Sequence, residues 1–310
     1  MECSNLVLRD VIKEITKTHL LEENGLAMGQ CLTAVGWVGG TLPELYEDEG
    51  MIELSMADVA GGGFVVGAAL AGRRPMYIIR YQGFNWFNSP IIINYACKSK
   101  DIWQRPCPIF IRSIAMEGAI GPVAGSSHHS LYYRMPGVKI LSPMTPMEYR
   151  LAYKEFMNDD DVYYISEHRG AYSNANELTD IIIDEPDFAL FPISITRFAA
   201  QEAALELKNE YDLNISVNHI FRIKPFALGS KEALKNLTKS KYGGCVLDDD
   251  YVDGIAKNLA YDLAAQSGAS VSVMGLEDKT AGFAAIVDNL PPSKEKIKNF
   301  ILNIVGKGAK

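Results

Sequence analysis

Residues 51–75 read MIELSMADVAGGGFVVGAALAGRRP, and this stretch decides the fold class. A short apolar strand over residues 51–54 is followed by a carboxylate, a run of small residues suited to a helix, and a stop at Gly72 to Pro75. Asp58 stands at the opening of that helix, so its side chain projects from the end of a strand. Open α/β sheets place their ligands there. Gly63, Gly67 and Ala71 recur at four-residue steps. They give one helix face almost without side chains, which lets another helix approach closely. These residues alone leave two readings of Asp58. Ser55-Met56-Ala57-Asp58 fits the S/T-x-x-D/E capping box that precedes an apolar run; the other reading gives the carboxylate a chemical task. The glycines at 61, 63 and 67 miss the G-x-G-x-x-G spacing of a dinucleotide turn, and no acidic residue follows at the distance such a turn requires.

Upstream, residues 5–23 carry Leu6, Leu8, Val11, Ile12, Ile15, Leu20 and Leu21 at helical spacing with charges between. Residues 26–32 read as a short buried strand and 36–40 as a Gly-rich loop. Downstream, strands are predicted over 76–81, 108–112, 138–141 and 162–166, with helices over 88–101 and 147–157. A small-residue loop over 118–127 leads into His128-His129-Ser130. Such alternation implies a parallel sheet covered on both faces. Residues 180–192, polar and Pro-containing, read as an interdomain linker. Beyond it strands are predicted at 193–196, 215–217, 244–247 and 270–273, with helices at 201–211, 231–238, 251–266 and 294–305. The expectation is an α/β chain of two domains, residues 1–185 and 186–310, each a mostly parallel sheet flanked by helices.

Composition narrows the partners. A chain of 310 residues is long enough for two cores. Its 48% apolar and 22% charged residues are those of a soluble globular protein. A net charge of −8 argues against nucleic acid or an anionic membrane as the main partner. The five cysteines are scattered and form no C-x-x-C pair, a reducing pattern without a zinc site. No signal-peptide pattern opens the chain, and no apolar run approaches the roughly 20 residues of a membrane span. The expected location is the cytoplasm.

The motifs, taken in order, resemble one known family. MADVAGGGFVVGAALAGRRP follows the pattern I-A-E-x-x-x-x-G-x-x-x-G-A-A-x-x-G-x-R-P without a gap. An aromatic cluster over 81–87 comes next, then I-N-Y-A-C-K for I-N-x-A-A-K, P-I-F-I-R, His129-Ser130 for H-S, and P-G-V-K-I-L-S-P for P-G-L-K-V-V-x-P. Each piece is weak alone; the ordered series is specific. It resembles the beta subunit of the thiamine-diphosphate-dependent decarboxylase component of 2-oxoacid dehydrogenases, within the transketolase superfamily, over nearly the whole chain. The fold implied is a pyrimidine-binding domain followed by a transketolase-like C-terminal domain.

The resemblance also implies roles. The family has a glutamate at the position of Asp58. There the carboxylate bonds to a ring nitrogen of the cofactor's aminopyrimidine and promotes the tautomer that activates the thiazolium carbon. Aspartate is one methylene shorter, with about 1.5 Å less reach. Capping would be a simultaneous second task. Gln30 stands in a G-Q-C-L segment where the family has G-E-D-V, so a neutral amide replaces an acid near the cofactor; its other reading is a strand-end residue satisfied by backbone groups. Phe84 falls where the family places the aromatic that stacks on the aminopyrimidine, and read by itself it is core packing. His129 would face substrate as a proton donor, with His128 as the alternative register; apart from the family, the pair reads as a polar turn. Arg169 is expected to bridge to Glu167 or Asp160, or to meet an anion bidentately.

No G-D-G motif occurs in the chain. The family resemblance therefore implies that magnesium and the diphosphate half are supplied by an alpha-type partner subunit in an α2β2 assembly, with the active site at the interface. The expected activity is decarboxylation of a 2-oxo acid and transfer of the acyl unit to a lipoyl acyltransferase. The alternatives are a split transketolase or carboligase passing the unit to an aldehyde or sugar, and a catalytically silent scaffold subunit.

Overall fold

The computed structural model describes residues 6–117, 123–280 and 289–307. Residues 118–122 of the expected loop lie outside the described residues. Two compact units divide the chain: described residues up to Met116 and again from Val123 to Glu177, and Glu117 with those from Leu178 onward.

In the first unit the elements run α1 (Leu8–Leu21), β1 (Leu26–Gly29), α2 (Ala34–Gly40), β2 (Met51–Glu53), α3 (Asp58–Leu70), β3 (Pro75–Ile79) and α4 (Asn85–Ile91). A π-helical turn (Ile92–Ala96) joins α4 to α5 (Cys97–Trp103). Then come β4 (Phe110–Ala115), α6 (Ser130–Tyr133), β5 (Val138–Leu141), α7 (Pro146–Met157) and β6 (Val162–His168). The six strands are ordered β2-β1-β3-β4-β6-β5, and every pair is parallel. β3, β4 and β6 are buried at every position, as strands covered on both faces require. The periodicity of α1 buries Leu8, Val11, Ile12, Ile15 and Leu20, whereas Leu6 precedes the helix and is partly exposed and Leu21, at its last position, is exposed. At α7, Pro146 occupies the first turn and the Thr145 hydroxyl accepts from the Glu148 amide at 3.3 Å.

Where a loop was expected over 36–40, residues 35–39 instead wind left-handed, with φ between 53° and 65° at each. The second unit contains β7 (Phe188–Pro192), α8 (Thr196–Tyr211), β8 (Ile215–Val217), β9 (Arg222–Lys224), α9 (Lys231–Thr238), β10 (Gly244–Tyr251), α10 (Ile255–Ser267), β11 (Val271–Leu276) and α11 (Lys294–Ile304). Its parallel sheet is ordered β11-β10-β7-β8. Phe188, Leu190, Ala200, Ala203, Ala204, Leu207 and Ile301 form its core. Two expectations are corrected here. The strand predicted at 193–196 lies upstream, at Phe188–Pro192, inside the stretch taken for a linker. Thr196 already belongs to α8. Five consecutive buried residues, F-A-L-F-P, outweigh the acidic and proline residues before them.

Among the described residues no helix is long and apolar enough to cross a membrane. Among the described residues Cys31, Cys97, Cys107 and Cys245 form no disulfide.

Candidate active site

The strand order reverses between β1 and β3: the chain leaves β1 for β2 on one side and returns to β3 on the other. A crevice forms at the carboxyl ends of strands at such a switch. Gln30 follows β1, Asp58 follows β2, and Arg80 and Tyr81 follow β3. Together with Cys31, Met56, Tyr77, Phe84 and Asn88 they line a cleft of about 160 Å³. Glu53 steadies its rim by accepting from the Leu32 amide at 3.0 Å and the Thr33 amide at 3.1 Å.

Asp58 is the first residue of α3, preceded by Ala57 as the cap residue, and no side chain caps this helix. The capping-box reading is thus overturned. The helix begins three residues after Ser55, so Asp58 is not in the third position that a box requires. Its Oδ1 instead accepts from Gln30 Nε2 at 3.2 Å and from Asn88 Nδ2 at 3.0 Å. The reading of Gln30 as satisfied by backbone groups is replaced by this bond to the carboxylate. A carboxylate in the first turn also faces the positive end of the helix dipole.

Asn88 was not singled out in the sequence. Its Nδ2 donates to the Phe84 carbonyl at 3.0 Å as well as to Asp58, and its Oδ1 accepts from the Tyr77 hydroxyl. Burial, and then the Asp58 charge, raise the Tyr77 pKa well above the usual phenol value, so the hydroxyl stays a donor. Two glycines make room for this arrangement. A Cβ on Gly61 would lie 2.9 Å from the Tyr77 oxygen, and one on Gly62 would lie 2.9 Å from the Asn88 carbonyl. The close helix approach expected of Gly63 and Gly67 is made by Gly61 and Gly62; around Gly63 and Gly67 a Cβ would meet nothing within 4 Å.

Phe84 is half-buried in the cleft wall, its ring 6.1 Å from that of Tyr81 and tilted by 35°. Neither histidine lines the cleft. His129 is fully buried, with Nδ1 3.1 Å from Ser166 Oγ. His128 is partly exposed; its backbone amide donates to Gln82 Oε1 at 2.6 Å and its ring meets Trp86 edge-on at 6.3 Å. Gln82 organises this side. Its Nε2 donates to Ser166 Oγ at 2.9 Å and to the Ser113 carbonyl at 3.1 Å, while Tyr164 donates to its Oε1 at 3.0 Å.

The bridge expected between Arg169 and Glu167 is not formed. Glu167 pairs bidentately with Arg112, at 2.7 and 3.0 Å, and accepts from Tyr149 at 2.8 Å and Tyr172 at 2.6 Å. Arg112 also donates to Thr41 Oγ1 at 3.1 Å. Burial works against the guanidinium charge, and the Glu167 carboxylate outweighs it, so Arg112 stays charged. The other expected partner, Asp160, lies 3.5 Å from Arg74. The signal for this pair was in the sequence, since one arginine and one glutamate interrupt two strands otherwise fit for full burial.

The family model for the transketolase pyrimidine-binding domain matches residues 12–174. The chain belongs to the transketolase pyrimidine-binding family. The match covers the first unit of this family member except for a few residues at its two ends, and it includes every residue of the cleft at the switch point. Among curated proteins it is 27% identical over 177 residues to the 2-oxoisovalerate dehydrogenase subunit beta of Bacillus subtilis, covering 56% of this chain and 52% of that one. It is 26% identical over 196 residues to the acetoin:2,6-dichlorophenolindophenol oxidoreductase subunit beta of Cupriavidus necator, covering 57% of each. The matched part therefore spans about half the length of these relatives. A solved structure described as a split gene transketolase, inactive beta4 tetramer, superposes with a TM-score of 0.73 at 14% identity, covering 99% of this chain and 100% of that one. This likeness extends the fold through the second unit. The transketolase-like architecture and the resemblance to beta subunits, both expected from the motifs, are borne out.

Proposed function

We propose that this chain is the beta-type subunit of a thiamine-diphosphate-dependent enzyme that acts on a 2-oxo acid, with the pyrimidine end of the cofactor held in the cleft at the switch point. The observation that carries the reading is the meeting of Asp58, Gln30 and Phe84, drawn from separate segments, around one cleft in a member of this family. The residues fit the group. Asp58 Oδ1 is occupied by two amides, and Oδ2 has no partner among the described residues. Phe84 offers a ring face, and Ile78 and Ile79 add apolar wall.

When bound, the cofactor supplies the carbon that carries the acyl unit. The protein's part is positional and protonic. Asp58 would hold a proton at Oδ2 for exchange with the cofactor's pyrimidine. Phe84 would offer its ring face to the heterocycle. Gln30 and Asn88 keep the other carboxylate oxygen from turning into the cleft. His128, partly exposed, is the histidine better placed to exchange protons with solvent or substrate. His129, through Ser166, joins the Gln82 side chain that holds the His128 backbone amide.

The chain has no G-D-G motif, so magnesium and the diphosphate would be held by an alpha-type partner. A lipoyl acyltransferase as acceptor fits the dehydrogenase-subunit relatives; an aldehyde or sugar acceptor fits a split transketolase. Co-purification of the full chain from its native source, with mass spectrometry of what accompanies it, tests the proposal. Recovery of a G-D-G-containing partner together with thiamine diphosphate is expected. Recovery of a partnered complex free of thiamine diphosphate would overturn the cofactor reading and leave the scaffold alternative.

A further inference from the structure

We propose that Asn88 is the positioning residue of the cleft: a single amide that sets the Asp58 carboxylate and the Phe84 ring in register with each other. The inference rests on the pyrimidine reading above and deepens it. Asn88 Nδ2 stands 3.0 Å from Asp58 Oδ1 and 3.0 Å from the Phe84 carbonyl, so its two protons are divided between the acid and the aromatic residue's own backbone. The Tyr77 hydroxyl donates to Oδ1 of the same amide. Turned over, the amide would set its oxygen against a carboxylate and a carbonyl, neither of which can donate, and would lose both of those bonds. The orientation is therefore fixed, and Asn88 is 2% exposed.

This arrangement answers the short reach of aspartate. Two amide donors on one oxygen draw the carboxylate to a set place and leave the second oxygen for a ligand. Gln30 contributes the longer bond, at 3.2 Å, from the loop after β1. Asn88 contributes from α4, one turn beyond Phe84, and so links acid and aromatic through one helical turn. A planar ligand that stacks on Phe84 then presents its edge to Asp58 at a spacing decided by Asn88. The ligand class selected is a flat heterocycle with a hydrogen-bonding ring nitrogen.

The test uses the full chain and 4-amino-5-hydroxymethyl-2-methylpyrimidine as probe, with dissociation constants from ligand-observed NMR. Asn88→Ala is expected to weaken binding about tenfold, the size of one lost hydrogen bond to a charged group, and Tyr77→Phe several-fold. In an Asp58→Ala background Asn88→Ala is expected to cost much less than in the wild type. A merely structural role would cost the same in both backgrounds, and that additivity would overturn the proposal. So would wild-type affinity in Asn88→Ala. In the 15N-labelled chain without probe, Asp58→Ala is expected to shift one side-chain proton of Asn88 and leave the other, held by the Phe84 carbonyl, in place. Unmoved Asn88 side-chain resonances would refute the geometry, whatever the probe does. Binding that survives Asp58→Ala unchanged would instead sink the pyrimidine reading of the cleft, while the resonance shift could still stand.

Discussion

Asp58 carries two separable expectations at the scale of a residue. Its side chain caps nothing but accepts from the buried Asn88 amide, so Asp58→Ala should cost about 1–3 kcal/mol of stability, through the lost helix-dipole charge and the stranded amide proton. Chemical denaturation measures this, and a loss of several kcal/mol would mean that the acid is structural. In the partnered enzyme the same change, and Asp58→Asn, should nearly abolish exchange of the cofactor's acidic carbon-bound proton, since an amide keeps the shape without the acid's proton. Full exchange in both would remove Asp58 from the mechanism. The pair Arg112 and Glu167 behaves oppositely. Glu167→Gln leaves a fully buried guanidinium without its counter-charge, which typically costs about 3–5 kcal/mol. The melting temperature should fall by about 10 °C, and an unchanged melting curve would show that the pair contributes little. Asp58, Gln30 and Phe84 were legible in the sequence because each falls in a motif of fixed order. Asn88 and Gln82 were not, because a buried amide in a polar-aromatic run has no pattern of its own; only its partners from distant segments give it meaning.

The glycines of α3 divide into two kinds at the scale of the element. Gly62 packs against the Asn88 carbonyl, so Gly62→Ala should destabilise by about 1–3 kcal/mol through overpacking against backbone. Gly67 has open space around its Cβ position, so Gly67→Ala should stabilise the isolated chain by up to about 1 kcal/mol. Denaturant midpoints of the two variants should move in opposite directions; movement in the same direction would contradict the packing described. Helix α3 was readable from its small-residue run, but which glycines touch a neighbour was not. The four-residue step that drew attention to Gly63 and Gly67 marks one face of a helix. Only the path of α4 decides which face is covered. β7 was misplaced for a related reason: Pro186 and the acids around it suggest a linker, while the apolar run that follows is buried only because β8 and β10 flank it.

For the whole molecule, buried histidines tie stability to pH. His19 is held neutral between the Tyr153 hydroxyl at 3.1 Å and the Arg74 carbonyl at 2.7 Å, and burial lowers its pKa to about 4. The unfolded chain binds a proton at the ordinary value of about 6.5. The stabilisation is therefore complete above pH 6.5 and is lost as the pH falls from there towards 4, by on the order of 3 kcal/mol. His168 and His219, both lowered to about 3 by burial, steepen the same loss. Urea midpoints measured from pH 7.5 to 4 should fall steadily, and His19→Gln, less stable at pH 7.5, should show a shallower slope. Equal slopes would remove His19 from the acid response. The two-unit α/β plan was legible from alternation alone, since parallel sheets need continuous apolar strands separated by helices. The histidine effect was not, because burial is a property of the assembled fold.

The left-handed winding at residues 35–39 has a consequence for chirality. Val35, Trp37 and Val38 are L-residues on a path natural to their mirror images, at about 1–2 kcal/mol each. Val35 is 66% exposed, so little packing is lost when its side chain is removed. Val35→Gly, ordinarily a damaging exchange, should here leave the melting temperature unchanged or raise it, and a D-alanine placed at the same position by chemical ligation should raise it further, because it fits the winding without glycine's extra freedom in the unfolded chain.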